Sequence, residues 1–301
     1  MIGIVMFFVG MLMLLFGFPV AFTFGAVSVF FGIFAGIFES LSNGGTFVEG
    51  LQAGINLFAF MPHRIYAIMN NTILISVPMF VFMGIILQKS RLAERLLEAM
   101  GFLFGEIRGG LAISTVLVGA LLAASTGVVG ASVIAMGVIS LPVMMKYNYS
   151  KSLACGTICA SGTLGQIIPP SVVLIILGDV FQQPVGDLFE GAFWPGLTLV
   201  AVYILYILIV SFLNKDLAPA IPKQEIKQSK SKQIINAFKA ILPPLALIIL
   251  VLGSIFEGIA TPTESSAIGC VGAAILAYIY KSFSFKMIFV AVMETVSITA
   301  V

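Results

Sequence analysis

Two clusters of Gly, Ser and Thr interrupt long apolar stretches in the middle of the chain. The first runs from Ala124 to Ser132 with the sequence ASTGVVGAS, and the second from Ser161 to Ser171 with the sequence SGTLGQIIPPS. Neither cluster contains a charged side chain, so a ligand there would meet hydroxyls, backbone carbonyls and backbone N–H groups. Oxygen ligands without a carboxylate suit a monovalent cation better than Ca²⁺ or Mg²⁺.

The two clusters supply two kinds of candidate ligand. A broken membrane helix leaves carbonyl oxygens at the end of one half, which suit Na⁺, and N–H groups at the start of the other half, which suit a carboxylate. The candidate Na⁺ ligands are Ser125, Thr126, Gly127, Gly165, Ile168 and Pro169. The candidate substrate-binding residues are Ser132, Ser161, Thr163, Gln166 and Ser171.

Close helix packing is the alternative explanation of these small residues, because Gly, Ser and Thr let membrane helices approach one another. For a single patch, packing would be the better interpretation. Two adjacent patches, the second ending in Pro169-Pro170-Ser171, favour a binding site instead. Irregular backbone at membrane depth is tolerated only where protein or a water-filled cavity surrounds it.

The composition places these clusters in a membrane protein. Of the 301 residues, 60% are hydrophobic and 9% are charged, and the mean hydropathy is +1.14. Such a chain is predicted to be an all-α polytopic membrane protein. It has no Walker sequence, nucleophile elbow or metal motif, which argues against an enzyme. No cofactor is expected other than Na⁺ as a coupling ion.

The apolar segments predict the spans that must position the clusters. Met1–Phe38 is long enough for two spans, broken at Gly17-Phe18-Pro19, and Leu51–Phe60 is too short to span and is predicted to be an interfacial or arm helix. Residues 89–108 form an amphipathic linker with an apolar face of Leu92, Leu96 and Leu97. The remaining predicted elements are a span at Tyr66–Leu87, a hairpin at 110–146, a broken helix at 152–178, a span at Phe193–Leu213, a lysine-rich loop at Asn214–Lys239, and apolar segments at Ile241–Phe256, Ser266–Tyr280 and Met287–Val301.

The segment from Gly110 to Met145 is long enough either for two full spans or for a re-entrant hairpin with its tip at mid-membrane. The uncharged tip favours the hairpin. With a hairpin, the segments that carry 14 of the 15 Lys and Arg residues share one face, which the positive-inside rule makes cytoplasmic. The 214–239 loop is then cytoplasmic and the N-terminus periplasmic. Glu294 lies in an apolar segment and is equally compatible with a functional carboxylate and with the end of an interfacial arm.

A weak internal repeat relates the two ends of the chain. Gly17-Phe18-Pro19 and Gly258–Pro262 each break a pair of spans, and the two pairs turn on opposite faces, as in an inverted-topology repeat. The predicted division is first-repeat scaffold, arm and linker at 1–108, first-repeat transport unit at 109–190, connecting span and loop at 191–240, and incomplete second repeat at 241–301. The partner of the opening clusters is expected beyond Val301.

These motifs resemble, in order and over essentially the whole chain, the large membrane subunit of tripartite ATP-independent periplasmic (TRAP) transporters, the DctM type. The matching stretches are Gly17–Phe22, Val77–Val81, Ala124–Ser132, Leu164–Ser171 and Ala260–Glu264. The resemblance implies an elevator-type Na⁺ symporter for organic acids in the bacterial inner membrane. It also implies two partners, a small membrane subunit of the DctQ type and a periplasmic solute-binding protein of the DctP type. Because family members continue past the position of Val301, the alternative expectation is a truncated fragment or scaffold that does not transport.

Overall fold

Helices account for every regular element in the described part of the chain. The computed structural model describes residues 2–90, 92–126, 129–222 and 230–300. Five of its helices are long and apolar enough to cross a membrane, namely Val20–Ser42, Thr72–Lys89, Val185–Leu213, Lys230–Phe256 and Pro262–Ile279. The predicted all-α polytopic fold is confirmed.

The chain packs as two compact units, Met1–Asn71 and Thr72–Thr299. The sequence-based division placed its first boundary after residue 108. Packing instead joins the helices of residues 72–108 to the later part of the chain. The predicted division separates a scaffold from a unit that moves during transport, whereas the two compact units are defined by packing alone. The predicted division therefore stays a prediction.

The first unit, as described from residue 2 onwards, contains four α-helices and one 3-10 turn at Leu57–Phe60. The helices are α1 (Ile2–Leu14), α2 (Val20–Ser42), α3 (Phe47–Asn56) and α4 (Met61–Met69). The break between α1 and α2 lies at the predicted place, where Gly17 adopts a φ of +82° and Pro19 precedes the new helix. Thr46 and Glu49 form a reciprocal capping box that starts α3.

Helices α2 and α3 pack through glycines spaced four residues apart. A Cβ atom on Gly36 would lie 2.3 Å from the Gly54 nitrogen, and one on Gly50 would lie 2.6 Å from the Ile37 Cα. No side chain fits at these distances, so the two backbones are in direct contact. The short segment predicted as an arm is therefore folded closely against the span that precedes it.

In the described residues of the second unit there are ten α-helices. They are α5 (Thr72–Lys89), α6 (Leu92–Phe104), α7 (Gly110–Thr126), α8 (Val129–Lys146), α9 (Lys151–Thr163), α10 (Val172–Phe181), α11 (Val185–Leu213), α12 (Lys230–Phe256), α13 (Pro262–Ile279) and α14 (Phe285–Thr299). The three largest differences from the predicted boundaries of this unit lie at the starts of α5, α11 and α12. The span expected from Tyr66 begins at Thr72, the span expected from Phe193 begins at Val185, and residues 230–239 are helical rather than loop.

Helix α5 lies at the centre of the second unit, and its Phe80, Met83 and Ile86 are buried. It packs on α7, α10, α13 and α14. The predicted apolar face of the linker is confirmed, because Leu92, Leu96 and Leu97 of α6 are all buried. Burial of this stripe beside α7 and α12 fixes the linker to the rest of the unit.

Hydrogen bonds bring the basic segments of the second unit to one end. The Ser282 hydroxyl donates to the Ser90 carbonyl at 3.1 Å, and the Ser150 N–H donates to the Leu217 carbonyl at 2.9 Å. At the opposite end, where α5 and α13 begin, the Thr263 hydroxyl donates to the Thr72 carbonyl at 2.8 Å. The Gly109 N–H, just before α7, donates to the Ala218 carbonyl at 3.1 Å. The start of α7 and the end of α8 therefore both lie beside residues 217–218, which is the geometry of a hairpin.

Candidate functional site

The predicted break in the second cluster lies between α9 and α10. Helix α9 ends at Thr163 and continues as a 3-10 turn at Leu164–Gln166, and α10 begins at Val172. Pro169 and Pro170 lack N–H groups, so the carbonyls of Gly165 and Gln166 cannot receive the usual helical hydrogen bond. The Ser171 hydroxyl donates instead to the Gln166 carbonyl at 2.7 Å. The Gly165 carbonyl is thus the better placed of the two to bind a cation.

The hairpin packs directly on the helix that leads into this break. A Cβ atom on Gly119 of α7 would lie 2.5 Å from the Ser161 Cβ. One on Gly162 would lie 2.3 Å from Cγ2 and 3.0 Å from both the nitrogen and the Cα of Val133, in the second turn of α8. The start of α8 is therefore adjacent to the last turn of α9. A helix N-terminus, which favours anions, lies beside a helix C-terminus, which favours cations.

Helix α11 closes the break from another side. A Cβ atom on Gly196 would lie 3.0 Å from Cγ1 and 3.6 Å from the Cα of Ile168. Helix α10 continues beyond the break and packs mainly on α5 and α11 rather than on the hairpin. Its ten residues extend for about 15 Å past the break. Over this length α10 therefore packs mainly on α5 and α11 rather than on the hairpin helices α7 and α8.

The predicted Na⁺ ligands fall partly outside the described residues. Gly127 lies outside them, as do the side chains of Ser125 and Thr126, whose backbones form the last turn of α7. Gly165 and Pro169 are buried and Ile168 is half-buried, all within five residues at the break. The structure thus brings the second-cluster candidates together beside the hairpin. Coordination by these residues stays a prediction.

In three of the five predicted substrate-binding residues, the side-chain hydroxyl donates a hydrogen bond to a nearby backbone carbonyl of the same segment. Ser161 donates to the Ile158 carbonyl at 2.9 Å, and Thr163 donates to the Ala160 carbonyl at 2.8 Å. Ser171 makes no side-chain cap on α10 and donates to the Gln166 carbonyl, as described above. Any anion at this place would therefore be held first by backbone N–H groups at the starts of α8 and α10.

The other two predicted substrate-binding residues lie on either side of the packed contact. Ser132 is buried in the first turn of α8, one residue before Val133. Gln166 is half-buried at the end of the 3-10 turn. Both stand near helix ends whose polar groups have no intrahelical partner. Their role as ligands remains a prediction.

Sequence reasoning missed the glycines that set the distances at this site. Gly119 and Gly196 lie in segments that read as uniformly apolar spans, outside both clusters. Their contacts with Ser161 and Ile168 depend on which helices are neighbours, which the sequence pattern does not specify. A glycine inside a span is the available signal, because it indicates a close backbone approach without naming the partner.

Two other carboxylates of interest have structural roles. Glu294, left open between function and an arm, forms an ion pair with Lys89 at 2.8 Å and is partly exposed on α14. Glu264 accepts from the Thr261 N–H at 2.8 Å in a capping box that starts α13. Neither residue lies in the α9–α10 break. The Thr-Pro-Thr-Glu motif is thus explained by helix capping.

Comparison with known proteins gives the context of this geometry. The family described as the tripartite ATP-independent periplasmic transporter, DctM component, matches residues 4–301. A C4-dicarboxylate TRAP transporter large permease protein of Pseudomonas aeruginosa is 32% identical over 240 residues, covering 77% of this chain and 55% of that protein. An ectoine TRAP transporter large permease protein of Halomonas elongata is 30% identical over 292 residues, covering 96% of this chain and 62% of that protein.

A further relative differs more in length. The sialic acid TRAP transporter permease protein of Haemophilus influenzae is 27% identical over 233 residues, covering 76% of this chain and 36% of that protein. The chain thus spans roughly half the length of the curated relatives it matches. The family match covers nearly all of its residues and includes both Gly/Ser/Thr clusters. The chain belongs to the DctM family of large permease components of TRAP transporters.

Proposed function

We propose that this chain acts in the bacterial inner membrane as the large membrane subunit of a Na⁺-coupled secondary transporter that imports small organic acids. The observation that carries the proposal is the break at Gly165–Pro170, packed beside the start of α8. The N-terminal end of α8 and the C-terminal end of α9 meet there, and the sequences of the two clusters, 124–132 and 161–171, contain no charged residue. This arrangement suits the joint binding of Na⁺ and a carboxylate.

Two partners belong to the proposal, a small membrane subunit of the DctQ type and a periplasmic solute-binding protein of the DctP type. The family description names the transporter as tripartite and periplasmic, which supports this composition. Two of the relatives above are named for acids, a C4-dicarboxylate and sialic acid, which supports the substrate class. In the proposed cycle, the re-entrant hairpin α7–α8 and the broken helix α9–α10 move together as an elevator.

Uptake by the reconstituted three-component complex tests the coupling. Proteoliposomes would be given an inward Na⁺ gradient and a panel of radiolabelled carboxylates, with and without the binding protein. We expect uptake only when Na⁺ and the binding protein are both present. Unchanged uptake after omission of both would contradict the proposal.

Pro170→Ala tests the break itself. The substitution restores an N–H that can bond to the Gln166 carbonyl, so a regular helix competes with the break. We expect most Na⁺-dependent uptake to be lost while membrane insertion is retained. Pro142→Ala is the matched control, because Pro142 is exposed within α8 and away from the break. Normal Na⁺ coupling in Pro170→Ala would refute the assignment of the cation site.

A further inference from the structure

A second polar region, separate from the broken helix, lies at the basic end of the second unit. Two cavities adjoin there and share Arg95 and Tyr280 as lining residues. The first, about 270 Å³, is also lined by Asn236 and Lys239 of α12. The second, about 520 Å³, reaches Lys281 in the turn after α13. Together they form one groove between α6, α12 and the α13–α14 turn, called the basic groove below.

Positive charge predominates in the basic groove. Within the described residues, Arg95, Lys239 and Lys281 form no ion pair with a carboxylate. Lys89 also lines the groove and is neutralised by Glu294 at 2.8 Å. Among the lining residues that the structure describes, Glu98 is the one carboxylate. Three cations facing one acid give the groove a net attraction for an anion.

Contacts that leave the positive charges un-neutralised fix the shape of the basic groove. The Arg95 guanidinium lies over the Tyr280 ring at 5.1 Å from the centroid, which restricts the guanidinium without neutralising it. The Ser282 hydroxyl ties the α13–α14 turn to the end of α5 through the Ser90 carbonyl. An Arg fixed on a ring face presents its N–H groups as a fork that matches phosphate oxygens.

The groove lies at the level where the apolar spans begin. Helix α12 is charged up to Lys239 and apolar from Ala240 onwards, and α13 ends at Ile279. Three aromatic side chains next to the groove are exposed: Tyr278 by 73%, Phe283 by 39% and Phe285 by 87%. Exposed aromatic rings beside basic residues are typical of the headgroup region of a bilayer.

We propose that the basic groove binds the phosphate headgroup of an anionic phospholipid such as phosphatidylglycerol. Arg95, Lys239 and Lys281 contact the phosphate, and the exposed rings lie against the upper part of the acyl chains. Basic pockets between helices at a membrane surface favour this class of lipid. The basic end is also the end expected to face the cytoplasm. The site is independent of the proposed Na⁺ and substrate site, because the two share no residue.

Lipid binding to the purified full chain tests the proposal. Bound lipid would be counted by native mass spectrometry while phosphatidylglycerol is titrated into detergent micelles, with phosphatidylcholine as the zwitterionic comparison. The triple variant Arg95→Gln/Lys239→Gln/Lys281→Gln removes the three unpaired cations. Its matched control is Lys151→Gln/Lys215→Gln/Lys232→Gln, which removes three exposed lysines that do not line the groove.

We expect one tightly bound phosphatidylglycerol in the wild type, with affinity reduced on the order of 100-fold in the triple variant and retained in the control. Lys281→Gln alone, at an exposed turn position, should give a smaller loss and serves if the triple variant does not fold. Equal losses in the triple variant and the control would overturn the proposal in favour of diffuse attraction. Displacement of the lipid by millimolar inorganic phosphate would overturn the lipid assignment in favour of a free-anion site.

Discussion

At the level of single residues, the contact between hairpin and broken helix depends on Gly162. Its missing side chain leaves room for the backbone of Val133, so the start of α8 can lie against the last turn of α9. Van der Waals contact of carbon atoms needs about 3.5 Å. A Cβ atom added to Gly162 would lie 2.3 Å from Cγ2 and 3.0 Å from the Cα of Val133, so a larger residue cannot fit unless α8 or α9 moves. The pairing of the α8 N-terminus with the α9 C-terminus thus depends on a glycine, which has no side chain to bind a ligand.

Gly162→Ala should therefore lower stability by about 1 to 3 kcal/mol, because the new methyl group forces α8 away from α9. The measurement is the temperature at which the detergent-solubilised protein loses its monodisperse gel-filtration peak. Gly156→Ala is the control on the same helix, since a Cβ atom there would meet nothing within 4 Å. If both variants melted alike, helix propensity rather than packing would dominate at these positions.

The hydroxyl oxygen of Tyr149 makes a second contact of this kind, at the base of the hairpin. Its hydroxyl accepts a hydrogen bond at 3.2 Å from the N–H of Leu111, one of the unpaired donors in the first turn of α7. The side chain is 4% exposed. Burial raises the pKa of the Tyr149 phenol from 10.0 to about 12, against the opposing effect of the backbone hydrogen bonds.

Tyr149→Phe should destabilise the protein by about 1 to 3 kcal/mol at neutral pH, because it leaves a buried N–H without an acceptor. The sign of the pH dependence follows from the raised pKa. The neutral phenol stabilises the folded state fully below pH 10, and this stabilisation is lost as pH rises from 10 towards 12. Thermal unfolding of the wild type should show this loss of stability between pH 10 and 12. Tyr149→Phe should lack this pH-dependent loss. Tyr206→Phe, at an exposed position, should behave as wild type. A wild-type-like pH profile in Tyr149→Phe would contradict the assignment.

At the level of elements, the helix breaks were predictable and their neighbours were not. Gly17-Phe18-Pro19 and Gly165–Pro170 end helices for local reasons, namely missing N–H groups and a positive φ at Gly17, so the sequence alone places them. The extension of α12 back to Lys230 was missed because its first ten residues are rich in lysine. They are helical because Gln233 and Ala237, one turn apart, are buried.

The segment after α11 was predicted from its composition to be only a lysine-rich loop. The Leu217 carbonyl accepts from the Ser150 N–H at 2.9 Å, and the Ala218 carbonyl accepts from the Gly109 N–H at 3.1 Å. Two residues of the connection are thus bonded to residues just outside both ends of the α7–α8 hairpin. Such bonds between distant segments depend on tertiary packing, which a periodicity pattern does not contain.

Ala218→Leu tests this tie. Ala218 is fully buried, so three further carbon atoms should push the connection away from Gly109 and cost about 1 to 3 kcal/mol. We expect faster proteolysis near residues 214–222 and a lower melting temperature than in Lys215→Leu, where the added apolar bulk is exposed. Equal protection of the two variants would show that the tie does not restrain the hairpin.

At the level of the whole molecule, the distribution of charge agrees with the packing of the second unit. The hydrogen bonds that join Ser90 to Ser282 and Ser150 to Leu217 place the basic segments at one end. The acidic turn of Glu257 belongs to the opposite end, where α12 ends and α13 begins. A hairpin that enters and leaves at the basic end is required for this partition, because two full spans would send one basic segment to the other end.

Cysteine labelling in spheroplasts tests the resulting topology. Single cysteines would replace Arg108, Lys146, Lys232 or Ile259 in a background where Cys155, Cys159 and Cys270 are serine. A membrane-impermeant maleimide should label Ile259→Cys in intact spheroplasts, because Ile259 is 79% exposed at the end away from the basic segments. The other three should be labelled only after permeabilisation, since the positive-inside rule predicts that both ends of the hairpin and the start of α12 face the cytoplasm. Labelling of Arg108→Cys and Lys146→Cys from opposite sides would contradict the hairpin in favour of two full spans, and it would be incompatible with the contact between Val133 of α8 and Gly162 of α9.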